Sequence, residues 1–225
     1  MRLVTLAMIL ATETVLAAPQ PAAPQPPAAQ PAAKPASAGP QAALVQLVPI
    51  DPTKLPQACQ PAAKSALAAS RNTALAARVS LATCMADRAV EPIALCDCGE
   101  SVLAVDAAVA PALALLDNVI EVGDPASQVI AEHTEGALYA GFSARLRATL
   151  PKVAPGAADA EVTLRDLRKQ TLEAQLAPWR EAAMTAFQHV VDLAKAHPEM
   201  AAHNGAVASA LRDSQQRLAA EVANR

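Results

Sequence analysis

Proline decides where this chain can be helical. From Ala18 to about Pro40 the sequence is almost nothing but proline, alanine and glutamine. Such a tract buries nothing and favours extended polyproline II, reaching on the order of 70 Å at ~3.1 Å per residue. It reads as a disordered tether over 18–40. Beyond it the prolines thin out and mark boundaries. Pro49, Pro52 and Pro56 keep the apolar stretch Leu44–Ile50 and its sequel irregular, and Pro61 suits a helix's first turn.

Five helices are expected between these marks. The first runs from about Pro61 to Ala89 and ends at Glu91-Pro92. The second opens near Asp97 to Ser101, with Val105, Val109, Leu113, Leu116 and Ile120 recurring at threes and fours. Gly123-Asp124-Pro125 then carries three helix signals in a row. Glycine can end one helix in the left-handed conformation, aspartate can cap the next, and proline fits its first turn. The third helix reaches about Leu150, and its Gly136 and Gly141 suggest close approach by a neighbour.

The fourth and longest helix spans roughly Asp159 to Ala196. Leu172, Leu176, Trp179, Ala183, Val190 and Ala194 mark one face of it, and Pro178 predicts a kink. His197-Pro198 closes it, and a last helix runs from about Gly205 to Ala223. No period-two run is long enough for a sheet. The fold expected for 41–225 is therefore all-α, an antiparallel bundle of about five helices, the fourth long and kinked. Alanine lets helix axes approach closely, yet it buries less apolar area than leucine would. Disulfides would offset that deficit.

The N-terminus predicts export. Met1-Arg2 is a short basic start, Leu3 to Leu10 an apolar run, and Val15-Leu16-Ala17 a small-residue cleavage site. This is the layout of a secretory signal peptide over 1–17. Thr12-Glu13-Thr14 interrupts the run well short of the ~20 apolar residues that span a bilayer. The expected location is periplasmic or extracellular, in a bacterium, with no transmembrane segment once the signal is removed.

Composition narrows the function classes. The net charge of −3 offers no electrostatic footprint for nucleic acid or an anionic membrane surface. Aromatic residues, at 2%, are too few for base- or sugar-stacking platforms. The four histidines, His133, His189, His197 and His203, form no Glu-x-x-His or His-Glu-x-x-His motif. His189 and Asp192 could face together, and His133 with Glu132 and Glu135 reads as a surface ion cluster. No Gly-x-Ser-x-Gly elbow, phosphate loop or haem-attachment motif is present. Trp179, Phe187 and Tyr139 read as core and rim anchors. No metal or cofactor is expected, and no residue pattern resembles a particular family closely enough to name it.

The four cysteines, an even count in an oxidising compartment, predict two disulfides. On a straight first helix Cys59 and Cys84 would lie ~37 Å apart, too far for a bridge. Cys59 can return only if the chain folds back, and Ser70-Arg71-Asn72-Thr73 is the polar cluster placed for that turn. Joining Cys96 to Cys98 would close a small ring. The pairing favoured is therefore Cys84 with Cys96 and Cys59 with Cys98.

Cys96-Asp97-Cys98-Gly99 is also the one constellation that looks reactive. A thiol at a helix N-terminus gains thiolate character, which would make Cys98 the nucleophile and Cys96 or Cys84 its resolving partner. No thioredoxin-like βαβ pattern surrounds it. The leading expectation is an exported, non-catalytic helical bundle with a binding or structural role in the cell envelope, its partner a protein or envelope component. The alternative is a thiol-redox or metal-handling protein that uses the Cys96/Cys98 end.

Overall fold

A break in the first expected helix sets the architecture. In the computed structural model, which describes residues 46–67, 70–156 and 158–223, that segment is two helices, α1 (Gln60–Ala66) and α2 (Arg71–Val90). Ser70 is extended at the N-cap of α2, and Asn72 and Thr73 follow it. Such side chains compete for backbone hydrogen bonds and favour helix starts over helix interiors. α1 folds back along α2.

Five further helices complete the described residues: α3 (Gly99–Val122), α4 (Pro125–Arg147), α5 (Asp159–Ala196), α6 (Glu199–His203) and α7 (Gly205–Ala223). Short 3-10 turns at Pro52–Lys54 and Gln57–Cys59 precede them, and no strand occurs among the described residues. The count is seven α-helices rather than five, because the first divides and α6 fills the turn before α7. The expectations for 1–17 and 18–40 lie outside the described residues.

Antiparallel neighbours build the bundle. α2, α3, α4 and α5 pack in succession, α1 covers α2, and α7 lies against α4 and α5. One apolar core runs from α1 to α5 through Leu75, Leu81, Leu116, Leu146, Leu172 and Leu176. A smaller one joins Val129, Val190, Val207 and Ala210 beneath α7. Trp179 and Phe187, read as core or rim anchors, are both core residues, and Trp179 Nε1 donates to Asp106 Oδ1 at 3.2 Å. By length and composition α3 could cross a membrane; here one face of it, with Val105, Val109 and Leu116, joins the bundle core.

The Gly123-Asp124-Pro125 junction forms, with one correction. Asp124 Oδ1 accepts from the N–H groups of Ala126 and Ser127, and Pro125 opens α4. Gly123, however, is extended (φ −75°) rather than left-handed. Space explains the glycine, because a Cβ there would lie 2.5 Å from the Val119 carbonyl oxygen. Gly136 meets the close approach expected of it, its Cβ position being 2.7 Å from Phe187 Cε1. Gly141 does not, since nothing lies within 4 Å of its Cβ position.

α5 is the longest element, 38 residues or about 57 Å. It continues through Pro178, which faces solvent, so the backbone bond lost there falls on the wet side. Its first 13 residues contribute nothing to the core, the first buried side chain being Leu172. Val162, Leu164 and Leu167 are exposed along this part.

Candidate thiol site at one end of the bundle

Two disulfides join the four cysteines, Cys59 to Cys84 and Cys96 to Cys98. Both expected partnerships, Cys84 with Cys96 and Cys59 with Cys98, are thereby corrected. The fold-back of α1 along α2 is the physical reason. It returns Cys59, at the start of α1, to the side of α2 about two thirds of the way along, where Cys84 waits with a Cα–Cα separation of 5.7 Å. Cys96 and Cys98 are left to each other across one residue, at 5.2 Å. The fold-back was anticipated, but its reach was not: Cys59 stops at Cys84 inside α2 instead of continuing to Cys98 at the start of α3.

The two bridges sit in different surroundings. Cys59 is fully buried and belongs to the main core, with Cys84 packed at its edge. Cys96 and Cys98 are both partly exposed on the α2–α3 connection, and Cys98 is the N-cap of α3. Beneath them lies Ser101, 4% exposed. Its Oγ accepts from the Cys96 N–H at 2.9 Å and stands 3.1 Å from Cys96 Sγ and 3.8 Å from Cys98 Sγ. Neither sulfur of a disulfide carries a proton, so the hydroxyl is the donor toward Cys96 Sγ.

α5 closes this end. Arg168 Nη1 stands 3.6 Å from Asp97 Oδ2, an ion pair longer than a hydrogen bond, between the two cysteines. Gln175 crosses Gly99, where a Cβ would lie 2.9 Å from Gln175 Nε2. Buried Asp97 Oδ2 and Gln175 Oε1 have no hydrogen-bond partner among the described residues. Between Arg168 and Gln175 on α5, Glu173 takes a bidentate pair from Arg147 at 2.7 and 2.8 Å. That hydrogen bonding holds the Glu173 carboxyl below, and the Arg147 guanidinium above, their ordinary ranges.

The histidine readings change with the packing. His189 turns to Glu132 Oε1 at 3.3 Å, while Asp192 takes Gln188 and Lys195. His133 Nε2 meets Asp213 Oδ2 at 2.9 Å, which Arg217 also holds at 2.6 Å. The expected surface cluster of His133 with Glu132 and Glu135 is thus replaced by a cross-helix tie, and Glu132 is buried. Glu135 is pushed up to about 7, first by burial and then by the charges of Asp117 and Glu132. Among the described residues no three His, Cys, Asp or Glu side chains lie close enough to hold a metal ion.

Sequence reasoning singled out the cysteines but missed Ser101, Gln175 and Arg168. A serine three residues past a helix cap is an ordinary residue, and Gln175 and Arg168 arrive from an element some seventy residues on. Compared with protein families, characterised proteins and solved structures, the chain finds no match.

Proposed function

We propose that this chain is an exported helical-bundle protein of the cell envelope that acts by binding a partner protein. The supporting observation is the uncovered seam of α5. Ala160, Leu164, Leu167, Thr171 and Ala174 recur at spacings of four, three, four and three, and every one of them is exposed. Alternating fours and threes are the spacing at which one helix receives another. The core of the bundle takes a different face of α5, the one bearing Leu172, Leu176 and Trp179. A partner helix lying along the seam would cover Leu164 and Leu167, which are 53% and 55% exposed.

A photo-crosslinking residue placed at Leu167 of the mature protein, in its own envelope, tests this reading. The expected product is one discrete cross-linked species, lost when Leu164 is changed to Asn, and absent when the probe sits at solvent-facing Gln215. Equal labelling from Leu167 and Gln215 would remove the seam as a binding surface.

The pairing of Cys96 with Cys98 favours a second reading, in which this end of the bundle exchanges thiols. A bridge spanning two residues constrains the unfolded chain far less than one spanning 25. The exposed pair therefore adds little to fold stability, which leaves chemistry as its use. Thiol titration under mild reduction tests that reading.

A further inference from the structure

We propose that Cys96–Cys98 is an exchange site that oxidises a dithiol peptide or protein, which attacks at Cys98 and releases Cys96 onto the hydroxyl of Ser101. This rests on the second reading above. It adds the sulfur attacked, the group that receives the leaving charge, and the class of substrate.

Ser101 sets the direction. Disulfide exchange is faster when the departing sulfur is stabilised as a thiolate. The Ser101 hydroxyl lies 3.1 Å from Cys96 Sγ and 3.8 Å from Cys98 Sγ, so the closer hydrogen bond belongs to Cys96. Ser101 is itself held, because its Oγ accepts from the Cys96 N–H and its own N–H donates to the Cys98 carbonyl. At 4% exposure it has little water to turn to. A hydrogen bond to a neutral sulfur becomes charge-assisted once that sulfur leaves, and so strengthens as the reaction proceeds. Ser101 is on this account a positioning residue that favours one of two possible outcomes.

The step balances as follows. A substrate thiolate attacks Cys98 Sγ and forms a mixed disulfide, while the Cys96–Cys98 bond breaks and its electron pair leaves on Cys96 Sγ. The second substrate thiolate then attacks the substrate sulfur of the mixed disulfide. Cys98 departs as a thiolate at the N-terminal turn of α3, whose free amide groups favour negative charge. Two electrons pass from the substrate to the protein. The substrate leaves as a disulfide, and the protons its thiols gave up are taken by Cys96 and Cys98.

Two measurements on the unaltered protein test this. Dithiothreitol is titrated under native conditions, and free thiols are alkylated and mapped by mass. Cys96 and Cys98 are expected to open first, with Cys59–Cys84 closed and the helical signal retained. If the two bridges open together, or open only on unfolding, the second reading fails and the inference with it. In a separate sample of the unreduced protein, reduced glutathione is added briefly and the reaction is quenched with acid. The adduct is expected on Cys98; an adduct mainly on Cys96, after selective opening, overturns the inference and leaves the reading standing. Ser101→Ala should slow opening roughly tenfold, the effect of losing one hydrogen bond to a charged group, with the native helical signal retained at the assay temperature. An unchanged rate would remove Ser101 from the account.

Discussion

Gly136 lies against the edge of the Phe187 ring, so close that a methyl group on it would stand 2.7 Å from Cε1. Phe187 is fully buried and cannot swing away. The contact fixes the distance between α4 and α5, and it explains a helix-interior glycine that propensity alone disfavours.

Gly136→Ala is accordingly expected to destabilise the fold by about 1–3 kcal/mol through overpacking. Gly141→Ala, in the same helix with nothing within 4 Å of the added methyl, should stabilise by roughly 0.5–1 kcal/mol through helix propensity. Urea midpoints of the two variants check the pair, and their opposite signs are the informative result.

Much of the bundle was legible because its boundaries are carried by local chemistry. Asp159 to Ala196 and Gly205 to Ala223 appear as helices between the residues expected. Asp124 caps α4 through its own side chain, a bond that needs no tertiary contact. The division of the first helix was harder, because the alanines on both sides of Leu67 favour helix throughout. The disulfide partners were illegible for a related reason, since they depend on how far α1 reaches back along α2. Ser101, Gln175 and Arg168 gain their meaning only from what α3 and α5 bring to them.

Arg78 gives a prediction of the opposite kind. It is 3% exposed, and its Nε and Nη1 atoms have no hydrogen-bond partner among the described residues. Burial pulls its pKa down, with no carboxylate among the described residues to offset the cost. Arg78→Met keeps most of the volume and removes the charge, and should stabilise by about 1–3 kcal/mol. Chemical denaturation at neutral pH measures it.

Stability should also depend on pH through Glu135. Its carboxyl is raised from 4.5 to about 7 in the folded protein. A raised carboxyl binds more protons folded than unfolded, so its contribution is complete below about 4.5 and is lost as pH rises through about 7. Allowing for solvent screening, the loss is on the order of 1–2 kcal/mol. Glu135→Gln should flatten this part of the profile and stabilise the protein above neutrality, as thermal melts across that range would record.

The bridges should contribute unequally. Cys59→Ala with Cys84→Ala removes a bridge closing a 25-residue separation and is expected to cost about 3 kcal/mol or somewhat more. Cys96→Ala with Cys98→Ala removes a bridge across one residue and should cost roughly half as much or less. Melting temperatures of the two double variants decide the order.

The division of labour between a buried bridge and a partly exposed one is tested most directly by a disulfide map of the unreduced native protein. Proteolysis between the cysteines and mass analysis without reductant should return one linkage of Cys59 to Cys84 and one of Cys96 to Cys98. Linkage of Cys59 to Cys98 with Cys84 to Cys96 would contradict both the register in which α1 lies along α2 and the exchange site at the start of α3.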